Sequence, residues 1–218
     1  MKAQTDAKSV ILGRIREALA DQPTPDPVER TYRRRSEASR DAVIEQLEDR
    51  LLDYKAAVYR ETADTVAARV GELLHDADRY VVPEGLDPAW LPEESAGVGR
   101  ERITEPAVGQ PGAQGVRALN EIDAVVTSST VSCSETGTIF LTGRADEGRR
   151  AISLVPDHHV CIVGLDTVVE LIPEALERVD PRAVITMISG PSATSDIELE
   201  RVEGVHGPRR LDVILLER

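Results

Sequence analysis

Short runs of valine, isoleucine and leucine recur along this chain with almost no aromatic residue among them, and that combination restricts the fold more than any other feature. Aromatic residues make up 3% of the 218 residues, against 41% hydrophobic residues overall. Such a core rests on Val, Ile, Leu and Ala, as the core around buried parallel strands does. The length suits one α/β domain with an extension, or two small domains, and is sufficient to bury a core without staples.

The apolar runs alternate with helical periodicity. Ser9 to Ala20 reads as a helix with Ile11, Ile15, Ala18 and Leu19 on one stripe. Pro23, Pro25 and Pro27 end it and open a turn-prone linker. Residues 1–35 are therefore read as a helical arm with a Pro-rich linker, and 36–218 as the main domain. The arm has two docking options, its own domain or a neighbouring copy, and the second makes a homo-oligomer. Ala38 to Asp53 forms the next helix, with Val43, Ile44, Leu47, Leu51 and Leu52 on its apolar side. Strands are expected at Ala56–Tyr59, Arg79–Val82, Ile122–Thr127, Thr138–Thr142, Ala151–Val155, Val160–Val163, Ala183–Ile188 and Leu211–Glu217. Thr62 is positioned to cap a helix carrying Val66, Val70, Leu73 and Leu74, and Asp166 to cap a stretch that Pro173 interrupts. Periodicity is lost from Pro83 to Gly115, where Trp90 and Leu91 are expected to pin the segment to the core. Strands alternating with helices predict a mostly parallel sheet with helices on both faces. The helix-poor stretch from 122 to 163 predicts some antiparallel pairs.

Charge and cysteine usage exclude several function classes. The net charge is −13, from 26 basic and 39 acidic residues. Such a surface repels nucleic acid and anionic lipid. The run Arg33-Arg34-Arg35 reads as a solvated face or as a partner for the acidic body. Two cysteines, Cys133 and Cys161, cannot supply the four thiolates of an iron–sulfur cluster and lack zinc-type spacing, so they read as reduced, partly buried thiols. No signal-like start and no apolar run of membrane-spanning length is present, so a cytoplasmic protein is expected.

Two polar turns carry the candidate chemistry. In the first, Glu135 stands at the mouth of a strand among Ser132, Ser134 and Thr136, with Gly137 allowing close backbone approach of a ligand. A carboxylate there serves as an acyl nucleophile or as a base. The plainer alternative is a helix cap, or an ion pair with Arg144 or Arg149. The second turn, Ser189-Gly190-Pro191-Ser192-Ala193-Thr194-Ser195-Asp196, follows a predicted strand, as ligand-binding turns do in open α/β sheets. Ser195 to Glu198 matches a capping box, so a helix N-terminus rich in hydroxyls is expected to take a phosphate or carboxylate; a well-capped helix explains the same residues. His206, between Gly204 and Gly207-Pro208, is the best acid/base candidate of the four histidines. His158 and His159 face opposite sides of a strand and cannot share one metal, so no metal site is predicted. Gly97-Val-Gly99 begins like a dinucleotide fingerprint but lacks the third glycine.

Three stretches, Ser134 to Leu141, Gly148 to His159 and Ile188 to Leu199, together with Val202 to Arg209, resemble the LUD-domain family. The resemblance is dense from about residue 120 to 217. It implies an α/β fold similar to that of sugar-phosphate isomerases and CoA-transferases. It also implies a part in oxidising L-lactate to pyruvate beside two iron–sulfur partner proteins, with no cofactor bound by this chain. Ser134-Glu135-Thr136-Gly137 is in addition similar to the Ser-Glu-Asn-Gly turn whose Glu is the CoA-transferase nucleophile. Thr136 stands in place of the Asn, and the glycine-rich CoA loop has no match. The expected site combines Glu135 and His206 for proton or acyl chemistry with Ser134, Thr136, Gly137, Gly190, Ser192, Thr194, Ser195 and Asp196 around a small carboxylate or phosphate. Three functions remain open: a component of lactate oxidation, a stand-alone acyl-transfer enzyme using Glu135, and a non-catalytic small-anion-binding module.

Overall fold

The structure is a computed structural model, which describes residues 6–21, 27–93, 99–194, 202–203 and 207–217. The chain divides into two compact units, Met1–Tyr32 and Arg33–Arg218. The first contains helix α1 (Ala7–Ala18), whose N-cap Asp6 accepts from the Lys8 backbone N–H at 3.3 Å.

The second unit is built on a six-stranded sheet in which every neighbouring pair is parallel. Its strands are β1 (Ala57–Thr62), β2 (Arg79–Pro83), β3 (Glu101–Glu105), β4 (Ala124–Thr127), β7 (His158–Gly164) and β12 (Arg210–Glu217), in the order β1-β12-β7-β4-β2-β3. A second sheet is formed by β5 (Val131–Cys133), β6 (Thr138–Leu141), β8 (Val168–Val169) and β9 (Thr186–Ile188), ordered β8-β5-β6-β9. Its β5–β6 and β6–β9 pairs are antiparallel, which is where the helix-poor segment finds the mixed pairing its spacing predicts. A short antiparallel pair joins β10 (Ala193–Thr194) to β11 (Val202–Glu203).

Side-chain alternation sorts the layers. On β7 and β12, Val160, Ile162, Ile214 and Leu216 face helix α3 (Val66–Leu73) and its residues Val66, Val70 and Leu73. Cys161, Val163, Val213 and Leu215 face the opposite way, onto helix α2 (Arg40–Asp53) and onto Ile139, Leu141 and Val168 of the second sheet. The outer side of that sheet, with Cys133 and the buried Phe140, is covered by helix α5 (Ile172–Leu176). Helices thus cover both faces of the parallel sheet, and a small second sheet shares one of them with α2. In α2, Val43, Ile44, Leu47 and Leu51 are buried whereas Leu52 is half exposed, because a stripe one turn wide excludes it. The helix ends in a Schellman arrangement: Ala56 N–H donates to Leu51 C=O at 3.0 Å and Lys55 N–H to Leu52 C=O at 2.9 Å, with Lys55 itself at φ 71°.

Several local expectations are corrected. Residues 151–155 form turns rather than a strand; their Ile152 is fully buried against Val125 and against Leu119 of the short helix α4 (Val116–Leu119), so the apolar run marks packing and not pairing. The stretch from Pro83 to Gly115 contains a 3-10 turn, Pro88–Trp90, and β3. β3 is an edge strand with Glu101 and Arg102 in its first positions, which hides it from a hydrophobic pattern. Leu91 is buried in the core and Trp90 packs against it, as expected. The cap of α3 is Thr65, not Thr62. Asp166 falls inside a single 3-10 turn, Leu165–Thr167, and helix α5 starts beyond β8. Among the described residues no helix is long and apolar enough to cross a membrane.

Leu47 lies fully buried where α2 meets the sheet. Leu47→Ala is expected to lower unfolding stability by about 2–5 kcal/mol, read as a shift of the urea midpoint. An unchanged midpoint would contradict this packing of α2.

Candidate functional site

The first polar turn closes the β5–β6 hairpin. Its backbone is tied to β8 and the residue just beyond it by Ser134 N–H to Val169 C=O at 2.8 Å and Glu135 N–H to Glu170 C=O at 3.1 Å. The Ser134 hydroxyl is buried and donates to Gln46 Oε1 at 2.6 Å. Glu135 turns outward. Its carboxylate, 39% exposed, pairs with the Arg33 guanidinium, which also lies 3.8 Å from Glu170. Arg33, and not Arg144 or Arg149, is therefore its cationic partner. Arg144 contacts Asp146, and Arg149 pairs with the fully buried Glu105. The arginine run lies along acidic residues as its charge suggests: Arg35 reaches Glu177 at 2.8 Å and Ser36 N–H donates to Glu174 at 3.1 Å.

A chain of hydroxyls connects this turn to the second. Thr136 Oγ1 lies 2.8 Å from Thr138 Oγ1, which lies 2.8 Å from Ser189 Oγ. The β6–β9 register causes this, since pairing Ile139 with Ile188 brings Thr138 beside Ser189. Both turns also close on the end of α2. Gly137 (φ +58°) and Gly190 (φ +85°) lack side chains where a Cβ would fall 2.9 Å from Arg50 Cβ and 2.6 Å from Tyr54 Cβ, respectively. Glycine is required at both positions on conformational and on steric grounds.

Behind the second turn lies a cavity of about 210 Å³. Ser189, Gly190 and Ser192 form one wall, and Gly207 and Pro208 another, the two joined by Ser192 N–H to Pro208 C=O at 2.8 Å. His159, Leu211 and Ser153 also line it. His159 and Leu211 are the second residues of β7 and β12, so the cavity sits over the amino-terminal ends of parallel strands. The carboxyl-end rule that singles out the Ser189 turn does not describe it, because β9 belongs to the second sheet.

His159 is 1% exposed. Its Nε2 lies 2.8 Å from the Thr127 hydroxyl, while Nδ1 has no hydrogen-bond partner. Burial, reinforced by neighbouring His158, drives its pKa down to about 3, so the ring is neutral near neutral pH. His158 points to the other face of the strand, where its Nε2 meets the buried Asp212 at 2.5 Å beside Arg210 at 2.7 Å. The two histidines are thus separated by the sheet. Ser153 also lines a second cavity of about 320 Å³, together with Gly143, Gly148 and Arg150. Beside it the buried carboxylate of Glu147 accepts from Thr142 N–H at 2.6 Å and Arg144 N–H at 3.1 Å, which fixes the end of the hairpin.

Of the residues singled out by sequence, Gly190 and Ser192 line the first cavity, and Thr136 reaches its wall through Thr138 and Ser189. Glu135, Ser134 and Gly137 are not among its lining residues. The backbone of Thr194 pairs with Val202. The Thr194 side chain, Ser195, Asp196 and His206 lie outside what the structure describes, as does the expected helix at Asp196. Sequence reasoning passed over His159 and Ser153. The available signal was Thr127 and His159, polar residues bordering the apolar runs Ala124–Val126 and Val160–Val163. Cys133 and Cys161 are both buried and unbridged, and burial pushes the Cys161 thiol up to about 12. Among the described residues no three His, Cys, Asp or Glu side chains converge as a metal set.

With this geometry in hand, comparisons identify relatives. The family model described as the LUD domain matches residues 95–216. A protein of Deinococcus radiodurans named lactate utilization protein C is 41% identical over 217 residues, 97% of this chain and 92% of its own length. A protein of the same name from Geobacillus kaustophilus is 32% identical over 177 residues, covering 75% of this chain and 72% of its own. A crystal structure of a DUF162 family protein from Deinococcus radiodurans superposes with a TM-score of 0.66 at 35% identity, covering 82% of this chain and 99% of that one.

Two outcomes test the site's construction. Gly190→Ala places a methyl against Tyr54 at positive φ and is expected to cost about 1–3 kcal/mol in chemical denaturation. His159 sets an acid limit. Unfolded, it takes its proton near 6.5; folded, only at about 3. Its contribution to stability is therefore complete above about 6.5 and is lost as pH falls toward 3, by up to about tenfold in the folding equilibrium per pH unit. Denaturation midpoints measured from pH 7 to 5 are expected to fall, and to fall less steeply in His159→Gln.

Proposed function

The chain belongs to the LUD-domain family, and on that premise we propose that it works in lactate utilization, in the cytoplasm, as a component that binds a small carboxylate while L-lactate is oxidised to pyruvate. The observation that carries this reading is the match to a protein named lactate utilization protein C along nearly the whole of both chains. The cavity supports it. At about 210 Å³ it falls below the roughly 300–1,000 Å³ of sites for drug-sized ligands, and its wall of serine hydroxyls and turn backbone suits a small organic acid.

Oxidation of a secondary alcohol to a ketone releases two electrons and two protons. Two cysteines cannot hold a cluster to receive the electrons. In this proposal two iron–sulfur partner proteins carry the redox centres, and this chain supplies substrate binding and proton handling. No observation favours the acyl-transfer reading, since the Glu135 carboxylate is paired with Arg33 and stands apart from the cavity-lining residues.

Anaerobic L-lactate-dependent dye reduction by the two iron–sulfur partners, with and without this chain, is the test. Activity is expected to require the chain. Full activity of the partners alone would remove it from the reaction.

A further inference from the structure

We propose that the cavity of about 320 Å³ is a second binding site, for an aliphatic organic acid, with Arg150 as the anchor of its carboxylate and Val108, Leu141 and Val184 as the wall for its hydrocarbon tail. This goes beyond the lactate reading and does not depend on it, because it concerns a different cavity. The two cavities share Ser153 as a lining residue.

Two arginines line this cavity, and they differ in what is left to bind a ligand. The Arg149 guanidinium is engaged by the buried Glu105 and by the Gln114 carbonyl. Arg150 is exposed, and its guanidinium has no hydrogen bond and no acidic partner among the described residues. Its backbone is held, since Ser153 Oγ donates to Arg150 C=O at 3.1 Å. A long side chain thus starts from a fixed point in the cavity wall and is free to close on an anion. Arginine presents a planar fork that meets a carboxylate through two parallel hydrogen bonds. In a chain of net charge −13 an anion also needs a place clear of carboxylates, and no Asp or Glu is among the described residues that line this cavity. The rest of the lining selects the kind of anion. Val108 and Val184 are 58% and 68% exposed. Inorganic phosphate would gain the ion pair and leave these apolar side chains in water, whereas an aliphatic acid also covers them. The volume lies at the lower end of the roughly 300–1,000 Å³ of small-molecule sites, which suits a tail of a few carbons.

The test is calorimetric titration of the full chain, at constant pH and ionic strength, with propanoate, butanoate and hexanoate, and separately with hexanol and inorganic phosphate. Hexanoate is expected to bind saturably, and each added methylene to tighten binding about two- to fourfold. Arg150→Gln is expected to keep the melting temperature and to weaken hexanoate at least about tenfold; Arg150→Lys, which keeps the charge and loses the fork, is expected to fall between. Arg144→Gln removes the same charge from a residue that pairs with Asp146 and is not among the cavity's lining residues, and it is expected to leave binding unchanged. Unweakened binding in Arg150→Gln, an equal loss in Arg144→Gln, or hexanol binding as tightly as hexanoate overturns Arg150 as the anchor and with it the inference. Phosphate binding as tightly as hexanoate overturns the aliphatic ligand, and no binding of hexanoate to the wild-type chain overturns the site. Each of these outcomes leaves the lactate reading standing, since that reading is tested on the other cavity's ligand and by dye reduction.

Discussion

Strand β7 is buried on both faces, and the rest of the structure depends on that constraint. A strand with α3 on one side and α2 with a second sheet on the other has no solvent face on which to leave a polar side chain. Its alternation therefore has to send each of two adjacent histidines to a prepared place. His158 goes to Asp212 and Arg210, and His159 goes to Thr127 and a cavity. A slip of register by one residue would exchange these sides and strand both rings in apolar packing. The register with β12 and β4, which pairs Cys161 with Val213 and with Thr127, is what holds them.

The second sheet extends this arrangement outward. β6 packs Ile139 and Leu141 toward α2 and the parallel sheet while its partner β9 carries the Ser189 turn to the cavity. The two polar turns are consequently one construction, pinned by hydroxyl contacts through Thr138 and by two glycines seated on the end of α2. Lys55 at positive φ turns the chain from α2 into β1 just after Tyr54, so the helix end serves as the seat of both turns. Electrostatics is arranged around the outside. Arg33 and Arg35 lie along Glu135, Glu170 and Glu177, a set of exposed or partly exposed pairs of the kind worth little individually to stability. They do leave Glu135 engaged at the surface.

Much of the fold was legible in sequence because its signals are local. The apolar stripe of α2, the β-branched runs of β4, β7 and β12, and the scarcity of aromatic residues all report burial of a regular element on its neighbours. Two of the misreadings share a cause. At 151–155 an apolar run packs as a turn, and at 101–105 a charged run pairs as an edge strand, so hydrophobicity and hydrogen bonding part company. The candidate site was legible as two polar turns. Its floor was not, since His159 and Ser153 lie 30 and 36 residues upstream of Ser189 and meet its turn only across the gap between sheets.

By itself the sequence determined the α/β class, the buried aliphatic core, the opposed directions of His158 and His159, and a chain without the thiolates for a cluster. These follow from composition and from the two-residue period of a strand, which every residue carries with it. Only the tertiary structure decided that Glu135 faces Arg33, that the Ser189 turn backs onto His159, and that the cavity opens over the amino ends of the parallel strands. Those outcomes depend on which strand joins which sheet, and such long-range pairing is set by the balance of burial over the whole chain.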